Sequence, residues 1–578
     1  MMVRQHKKIP YGITNFETIR TENYLYVDKT RFIEQIENET TKYQFLIRPR
    51  KFGKSLFLSV LDHYYDVRYK DKFVQLFGNL YIGRNPTLGR NDFFVLNFEF
   101  SGLDTCSIKD FNIAFLEKIK MVTQRFFIDH RDLITNYEEL NSKVWNMEKS
   151  SNCLEFVFNI VNSFGKKVFI IIDEYDHFAN DMIASKMYLG EEHYEKAVWA
   201  GSQVRDFYET LKANTRTVID KIFITGITPV MLDDLTSGFN ISNNLSLKVS
   251  YNEILGFTED ELGFVMREAG IDKSAVKVDM EYLYNGYLFH VDAKNKLYNP
   301  AMMNYFFMGI LEEGERMESL VDDNLKTDYG RIRNLIVPFE NKTVLKDLVN
   351  NGGTPANIVK KFSFINLHQH ENFLSLLYYM GLVTISKNAS GNPVLKIPNY
   401  SVRTNYWEYI KYFINEEIPE NTRLPYHAAR YFEYLEKLAV FNDPRPFLDF
   451  INGNFVEILS NRDLMNFNEK DIKILMMTLI FQSNFYLPVS EVENSGGYCD
   501  IYLQRRKVYP SVKSDWVWEV KYIRESDAGK RSLIAKKKKE ALEQLYRYKN
   551  STQFKDRTDV RYLAVVFIGR KKYFAEEI

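Results

Sequence analysis

The chain is poor in cysteine, has no excess charge and contains no long hydrophobic run. Its 578 residues include only 3 cysteines, and 76 basic residues balance 76 acidic ones, so the formal net charge is +0. Cysteines so few and so far apart form no disulfide framework and no zinc pattern, which suits a reducing compartment. The neutral balance excludes a protein that binds polyanions over its whole surface, so any nucleic-acid surface must be local.

Signals for membranes and secretion are also missing. No apolar run approaches the ~20 residues that a membrane span requires. The first residues, 1–8, lack the apolar core of a signal peptide. We therefore expect a cytoplasmic protein with no membrane segment. A hydrophobic content of 45% and an aromatic content of 15% allow several domains with aromatic cores.

Residues 43–55 have the order of a phosphate-binding loop: an apolar strand, a tight turn, Gly53-Lys54-Ser55 and then a helix. Gly53 lets the backbone approach phosphates, and Lys54 reaches their β/γ oxygens. Ser55 offers a hydroxyl to Mg²⁺ at a helix N-terminus that favours anions. The pattern lacks one usual residue, because Arg48 stands where a P-loop has its first glycine. The alternative is an ordinary strand–turn–helix corner.

An apolar run at 168–172 predicts a strand buried on both faces of a parallel sheet. It ends in Asp173 and Glu174, and ligands of open α/β sheets bind at that end. Asp173 would hold Mg²⁺, and Glu174 would polarise the attacking water. A further strand over 221–226 carries Thr225, which is placed like a sensor of the γ-phosphate. The alternatives are a solvated acidic turn and a structural hydroxyl.

Together with other motifs in a fixed order, these residues resemble the AAA-ATPase-like family of bacterial and archaeal proteins. The resemblance covers roughly residues 8–300, and Arg48 belongs to that family's usual form of the P-loop. It implies a P-loop NTPase domain, placed at 1–300, in which a parallel sheet is packed with helices. The motifs are Ile9-Pro10-Tyr11-Gly12, Tyr26-Val27-Asp28-Lys29-Thr30, Arg48 to Ser55, Ile172 to Asp176, Phe223 to Pro229, Gly256-Phe257-Thr258-Glu259 and Tyr298-Asn299-Pro300.

The same resemblance implies ATP and Mg²⁺ as cofactors. Ser55 and Asp173 would hold the metal. An arginine finger from a neighbouring subunit would make the protein a homo-oligomer, but the sequence names no such arginine. The nucleotide-binding residues are Arg48, Gly53, Lys54, Ser55, Asp173 and Thr225.

The region 301–430 contains no catalytic pattern. An apolar helix over 372–381 is followed by strands at 382–385 and 394–397, which is a helical, winged-helix-like arrangement. A regulatory spacer is favoured over a DNA-binding module, because the helix is apolar rather than basic.

The C-terminal region, 431–578, holds a second constellation. A strand over 498–503 carries Asp500, and the next strand carries Glu519 and Lys521 on one face. An Asp followed by Glu-x-Lys is the core pattern of the PD-(D/E)XK nuclease superfamily, whose domains members of the ATPase-like family commonly carry. Asp500 and Glu519 would share Mg²⁺, which activates a water, and Lys521 would steady the developing charge. The alternative is a solvated strand face with a salt pair.

The resemblance extends to the segment before these strands. A helix is predicted over 471–485, followed by an extended run over 486–491. Glu469 and Glu491 match acidic family positions that would complete the metal site, and Gln544 matches a later glutamine. One position departs from the family, which often has Gly-Arg where this chain has Gly497 and Tyr498.

Positive charge is concentrated near the second constellation. Residues 503–550 include 14 Lys/Arg and 6 Asp/Glu, in a chain that is neutral as a whole. Such a surface contacts phosphates without reading sequence, and Arg505, Arg506 and Lys507 are expected beside the metal site. The alternative is a solvated helix face.

These patterns favour an ATPase joined to a small α/β nuclease-fold domain, with nucleic acid, expected to be DNA, as its partner. An ATP-driven switch that binds DNA or protein without cutting remains open. A third hypothesis, a nuclease with a decayed P-loop, is opposed by the intact Lys54, Ser55, Asp173 and Glu174.

Overall fold

The computed structural model divides the chain into two compact units, Met1–Val402 and Arg403–Ile578. The first unit contains a parallel sheet and a small antiparallel one, and the second contains a mixed sheet. The described residues are 6–104, 107–184, 202–229, 242–272, 276, 280–313, 344–345, 348, 353–355, 357–362, 366–367, 369–388, 390–406, 428–456, 468–481, 483, 485–494, 497–506, 508–570 and 572–578.

The large sheet of the first unit has five strands: β1 (Tyr43–Ile47), β2 (Phe93–Glu99), β3 (Lys167–Asp173), β4 (Ile219–Gly226) and β5 (Asn243–Asn244). Their order is β2-β3-β4-β1-β5, and every neighbouring pair is parallel. Residues 168–172 of β3 are fully buried, as a sheet with both faces covered requires. Since β4 lies between β1 and β3, the carboxyl ends of these three strands meet at one edge.

Helices cover this sheet and extend the unit. The helix that follows the P-loop packs against β2 and β3, and two later helices pack against the same strands. The helices are α1 (Phe16–Thr21), α2 (Arg31–Glu37), α3 (Lys54–Tyr65), α4 (Phe73–Phe77), α5 (Tyr81–Arg84), α6 (Ile108–Asp129), α7 (Tyr137–Trp145), α8 (Ser150–Ser163), α9 (His177–Ala184), α10 (Gln203–Asn214), α11 (Glu259–Ala269), α12 (Met280–Tyr284) and α13 (Pro300–Glu313).

Residues of some family motifs also stabilise these helices. Thr258 and Glu261 form a reciprocal capping box at the start of α11, and Gly270 ends the helix with φ of 74°. Glu261 also lies 2.7 Å from the ammonium of the buried Lys29. Thr30 precedes α2, and its hydroxyl donates to Asp28 and does not cap the helix.

Within the predicted middle region, a helix is followed by a hairpin. α14 (His370–Tyr379) precedes β7 (Thr384–Lys387) and β8 (Pro393–Lys396), and β6 (Thr354–Pro355) completes a sheet in the order β6-β8-β7. The order of helix, strand, turn and strand agrees with the sequence pattern. Residues 314–343 and 407–427 of this region lie outside the described residues.

The sheet of the second unit comprises β9 (Tyr486–Asn494), β10 (Gly497–Arg505), β11 (Asp515–Ile523), β12 (Val560–Ile568) and β13 (Lys572–Glu577). They stand in the order β13-β12-β11-β10-β9, and only β11 and β12 run parallel. The helices are α15 (Ala428–Phe441), α16 (Arg445–Ile451), α17 (Glu469–Phe481) and α18 (Arg531–Lys549), with a π-helical turn at Asn452–Val456.

The helix α18 connects the two parallel strands and packs on β10, β11 and β12. Cys499, Val517, Ala541 and Leu545 are fully buried in the core between this helix and the sheet. The predicted α/β class, with a parallel ATPase-type sheet and a small C-terminal α/β domain, is confirmed. The domain limits at residues 300 and 430 stay predictions.

Candidate nucleotide site and candidate nuclease site

The P-loop leaves β1 and enters α3 through a turn that needs glycine. Gly53 precedes the helix with φ of 98°, a conformation that side chains disfavour. Lys54 is buried and donates hydrogen bonds from Nζ to the carbonyl oxygens of Arg48 (2.9 Å) and Pro49 (3.0 Å). Burial lowers the pKa of Lys54, although nearby carboxylates oppose the effect. The loop is therefore closed around the ammonium that the sequence assigns to phosphates.

Three predicted residues meet at the carboxyl ends of β3 and β4: Asp173 of β3, Thr225 of β4 and Ser55 of the P-loop helix α3. Asp173 accepts hydrogen bonds from Ser55 Oγ and Thr225 Oγ1, each 2.6 Å long. Asp173 and Thr225 are buried. A hydroxyl and a carboxylate are hard oxygen donors, and Mg²⁺ in such sites takes few protein ligands beside phosphate and water. The donor set therefore fits Mg²⁺ that is bound together with a nucleotide.

Glu174 follows in an unusual backbone conformation. Its φ is 51°, in the left-handed region that non-glycine residues seldom adopt outside functional sites. Its Oε2 atom lies 3.3 Å from Nδ1 of His177. Burial raises the pKa of Glu174, and His177 opposes the rise. Sequence analysis did not single out His177, because a lone histidine near an acidic motif carries no signal of its own.

Asp176 was part of a motif but received no role from the sequence. Its fully buried carboxylate accepts hydrogen bonds from the Ile227 and Thr228 backbone N–H groups, at 3.1 and 2.7 Å. The Thr228 hydroxyl and the Asn180 amide donate to it as well. Asp176 thus ties the segment after β3 to the segment after β4, which keeps Asp173 and Thr225 together.

The structure places the Arg48 side chain away from the nucleotide role predicted for it. The guanidinium is 1% exposed and donates to the carbonyl oxygens of Ile47 (2.9 Å), Ser246 (2.9 Å) and Tyr251 (2.7 Å). It lies 4.0 Å from the centroid of the Phe289 ring, and burial lowers the pKa of Arg48 to about 10. Because the two terminal NH₂ groups of Arg48 donate to carbonyl oxygens in the core, its contact with the P-loop lysine is made by its backbone carbonyl oxygen.

A cavity of about 650 Å³ opens beside the P-loop. This volume falls within the range of roughly 300–1,000 Å³ that is common for small-molecule sites. Its polar part includes Lys54, Ser55, Glu174 and His177. Its apolar part is formed by residues 10–14, 25–27 and 255–257 and by the start of α13. The cavity is therefore lined by both charged or polar side chains of the P-loop region and by apolar residues.

In the second unit, the predicted nuclease residues come together on neighbouring strands. Ile501 of β10 pairs with Trp518 of β11, so the adjoining Asp500 and Glu519 are close. Nζ of Lys521 lies 2.6 Å from Glu519 Oε1 and 3.8 Å from Asp500 Oδ2. One ammonium therefore serves both carboxylates.

The electrostatics of this group are strongly perturbed. Burial, reinforced by the Asp500 charge, raises the pKa of Glu519 to about 7. Burial would lower the pKa of Lys521, but Asp500, Glu519 and Glu469 outweigh it and raise this pKa to about 12. Lys521 is consequently protonated at neutral pH, whereas Glu519 is near its midpoint.

The helix α17 adds a second lysine that sequence analysis missed. Nζ of Lys473 lies 2.6 Å from Asp500 Oδ1 and 3.0 Å from Glu469 Oε1. Glu469 also accepts a hydrogen bond from the Tyr522 backbone N–H (3.3 Å) and lies 3.7 Å from Lys521. The spacing of Glu469 and Lys473, four residues apart on a helix, was a signal that could have found the lysine.

Every carboxylate oxygen of the central pair has a protein partner. The Val520 backbone N–H donates to Asp500 Oδ2 (2.9 Å), and the Tyr548 hydroxyl donates to Glu519 Oε2 (3.2 Å). Tyr548 lies on α18, one turn beyond the Gln544 that the sequence singled out. Lys473 and Lys521 engage the two remaining oxygens.

The donor chemistry suits Mg²⁺, because carboxylates are the hard oxygen ligands that this ion binds. Their arrangement is not a preformed cage: among the described side chains, no three acidic, histidine or cysteine residues are grouped to hold a metal ion. The β9 register places the backbone of Glu491 opposite Asp500, between the pairs Ser490–Ile501 and Val492–Cys499. The Glu491 side chain lies outside what the structure describes. The carboxylates that could bind Mg²⁺ are instead paired with the ammonium groups of Lys473 and Lys521.

The basic stretch 503–550 separates into two parts. Arg505 pairs with Asp559 (2.5 Å) and lies 3.8 Å from Asp515. Arg505 is five residues along β10 from Asp500, roughly 17 Å at ~3.3 Å per residue. It therefore does not lie beside the candidate metal site, contrary to the expectation from the sequence. The α18 lysines, by contrast, include Lys536 and Lys539 with side chains that are 71% and 77% exposed.

Two family models match the chain. Residues 10–236 match a family described as predicted AAA-ATPase, and residues 467–577 match the PD-(D/E)XK nuclease superfamily. The chain thus contains a predicted AAA-ATPase domain and, toward its C-terminus, a domain of the PD-(D/E)XK nuclease superfamily.

Two further proteins are similar over parts of the chain. An uncharacterized protein in the vnfD 5′ region of Azotobacter chroococcum is 26% identical over 305 residues, which are 51% of this chain and 50% of that protein. The match therefore spans about half the length of that curated relative. A Walker-type ATPase of Pyrococcus abyssi aligns with a TM-score of 0.37 and 14% identity, over 70% of this chain and 99% of that one. Among the described helices, none combines the length and apolarity that crossing a membrane demands.

Proposed function

We propose that the chain binds and hydrolyses ATP with Mg²⁺ and uses this to control Mg²⁺-dependent cleavage of phosphodiester bonds in nucleic acid, with DNA as the expected substrate. The observation that carries the proposal is the convergence of Asp500, Glu519 and Lys521, with Lys521 within 3.8 Å of both carboxylates. The same chain holds a P-loop whose Ser55 already contacts Asp173.

At the nucleotide site, each residue has a separate task. Lys54 would exchange its carbonyl partners for β/γ-phosphate oxygens, which are better partners for an ammonium. Ser55 and Asp173 would hold the metal, and Thr225 would orient Asp173. Glu174 would accept a hydrogen bond from the attacking water and align it with the γ-phosphate. A homo-oligomer in which a neighbouring copy supplies an arginine belongs to the same proposal.

At the nuclease site, Mg²⁺ would supply a more acidic bound water and neutralise charge on the scissile phosphate. Asp500 and Glu519 would hold it, with Glu469 and Glu491 as further carboxylates. Lys521 stays protonated because carboxylates surround it, so it donates a hydrogen bond to a phosphate oxygen or to the water. Tyr548 fixes the orientation of Glu519.

Cleavage of closed circular and linear DNA in Mg²⁺, with and without ATP, tests the proposal. We expect cleavage by the wild type and none by Asp500→Ala. Asp527→Ala, which removes a carboxylate outside the cluster, should cut normally. Lys54→Ala should remove the effect of ATP. Cleavage that persists in Asp500→Ala would contradict the assignment of the second site.

A second candidate is an ATP-driven switch that binds nucleic acid or protein without cutting. It is favoured by one observation, since Lys473 and Lys521 already neutralise the carboxylates that a metal would need. ATP turnover without cleavage of any DNA or RNA would select this candidate.

A further inference from the structure

The carboxylate cluster of the second unit contains more lysine than a nuclease core requires. Three acidic side chains, Glu469, Asp500 and Glu519, are joined by two ammonium groups in one continuous network. Lys521 bridges all three within 3.8 Å. Lys473 is redundant for that purpose, yet it makes the shortest contact with Asp500, at 2.6 Å.

The contact of Lys473 bears directly on the metal. Asp500 Oδ2 accepts a hydrogen bond from the neutral Val520 backbone N–H, whereas Oδ1 accepts one from the ammonium of Lys473, at 2.6 Å. A divalent ion at this oxygen would lie within a few ångströms of the ammonium, where like charges repel strongly in a partly buried site. Lys473 already pairs with Glu469 on its own helix, at 3.0 Å, so it would keep one carboxylate partner if its flexible stem moved it away from Asp500.

We propose that Lys473 is an internal counter-cation that keeps the carboxylate cluster closed, so that a divalent ion binds only when Lys473 leaves Asp500. This inference rests on the proposed function of the cluster as a metal site. It also explains why carboxylates that are suited to Mg²⁺ are not arranged around a metal position. The positive charge that a metal would supply is already present on Lys473.

Binding of Mn²⁺ to the full chain without nucleotide, followed by electron paramagnetic resonance, tests this directly. Each protein is also measured with the substitution Asp500→Asn, and only the binding that this substitution abolishes is counted. This comparison removes any contribution of the P-loop site. The variants are Lys473→Met, which keeps the apolar stem, and Lys473→Gln, which keeps a hydrogen-bond donor without charge. Lys470→Met, an exposed lysine on the same helix, is the matched control.

We expect Lys473→Met to tighten Asp500-dependent Mn²⁺ binding by about tenfold or more, because a nearby positive charge is gone. Lys473→Gln should tighten it less, and Lys470→Met should match the wild type. Unchanged binding in both Lys473 variants, or no Asp500-dependent binding in any protein, overturns the inference. Tighter binding without DNA cleavage would instead overturn the proposed hydrolysis and leave the role of Lys473 standing.

An independent observation concerns the cavity beside the P-loop. Asn304, on α13, lines this cavity and is 8% exposed. Its buried Oδ1 atom accepts no hydrogen bond from any described residue. A buried amide oxygen without a partner is costly, and such groups are usually satisfied by a ligand or water. Asn299, which caps the same helix, donates to the Arg50 carbonyl and so fixes α13 beside the P-loop.

The geometry points to Asn304 as the residue that reads the base of the nucleotide. An amide pairs with the N6 amino group and N7 of adenine, and guanine has the acceptor O6 in place of that amino group. Apolar residues that line the same cavity, including Pro300 and Ala301, suit the faces of a base. This inference rests on the proposed nucleotide site and names the base that the site selects.

Equilibrium binding of ATP, GTP and ITP to the wild type, Asn304→Ala and Asn304→Asp tests it. We expect the wild type to prefer ATP by about tenfold or more, and Asn304→Ala to lose that preference through weaker ATP binding alone. Equal losses for all three nucleotides would show a merely structural role and overturn the inference, as would a preserved preference. Absence of all nucleotide binding, including in the wild type, would overturn the proposed nucleotide site as well.

Discussion

Gly226 ends β4 in close contact with the segment that follows the acidic motif. A Cβ atom placed there would lie 2.4 Å from the Tyr175 ring and 2.5 Å from Asp176 Oδ1. Neither neighbour can yield easily, because the Tyr175 ring packs edge-on against Phe45 and Asp176 is held by four hydrogen bonds. We expect Gly226→Ala to lower the free energy of unfolding by ~1–3 kcal/mol, measured by urea denaturation.

Gly263, inside α11, provides the control. A Cβ atom there would meet only the flexible end of Arg267 at 3.5 Å, which is ordinary contact. Gly263→Ala should therefore raise the free energy of unfolding by ~0.5–1 kcal/mol, as expected for glycine in a helix. Equal effects of the two changes would contradict the role given to the close approach at Gly226.

Sequence predicted the residues whose chemistry is fixed by spacing within one motif. Ser55 follows Lys54 in any P-loop, and Glu519 precedes Lys521 by two positions on a strand, so their proximity needs no tertiary information. The helical spacing could have paired Lys473 with Glu469, but its contact with Asp500 could not be predicted, because Asp500 is on another element. The buried position of the Arg48 side chain could not be predicted either, since two of the three carbonyl oxygens that it contacts come from residues about 200 positions away.

At the scale of elements, α11 is stabilised by one glutamate with two functions. Glu261 completes the capping box with Thr258 and pairs with Lys29, whose side chain is 9% exposed. Burial lowers the pKa of Lys29, and the Glu261 charge opposes the effect. Glu261→Gln keeps the capping geometry but leaves the ammonium without a charged partner. We expect a loss of roughly 3 kcal/mol in unfolding free energy at neutral pH.

The pH dependence of this loss follows from the same lysine. A lysine whose folded pKa lies below its unfolded value destabilises the fold at low pH, and the cost disappears as pH rises toward the unfolded value of about 10.4. The deficit of Glu261→Gln should therefore shrink as pH increases from neutral toward that value. Thr258→Ala, which removes only a cap worth about 1 kcal/mol, should show a deficit independent of pH. A constant deficit for both variants would contradict the electrostatic account.

The elements themselves were predicted more reliably than their ends. The buried strand predicted at 168–172 is Lys167–Asp173, since a continuous β-branched run has no other stable environment than a covered sheet. The helix predicted over 471–485 ends earlier, at Phe481, and the following strand extends to Asn494. These limits depend on cross-strand pairing with β10, which no local pattern in the sequence reveals.

At the scale of the whole molecule, neutrality conceals a local excess of positive charge. The chain has a formal net charge of +0, yet four consecutive lysines lie on α18. Nζ of Lys537 lies 3.0 Å from Glu540 Oε2, and Nζ of Lys538 lies 4.1 Å from the centroid of the Phe574 ring. Lys536 and Lys539 make only longer ion pairs, at 3.9 and 3.7 Å, so their charges are the most available to a polyanion.

We therefore expect the double change Lys536→Ala and Lys539→Ala to weaken DNA binding and to reduce its dependence on salt. Each lost phosphate contact lowers the slope of log affinity against log salt by about 0.9 on duplex DNA, so the double variant should lose about 1 to 2. Fluorescence anisotropy with a labelled duplex, over a series of salt concentrations, measures this slope. Lys143→Ala, in an exposed ion pair of the ATPase-like unit, should leave the slope unchanged. An unchanged slope in the double variant would mean that the α18 lysines form a solvated helix face, and that nucleic acid binds elsewhere or not at all.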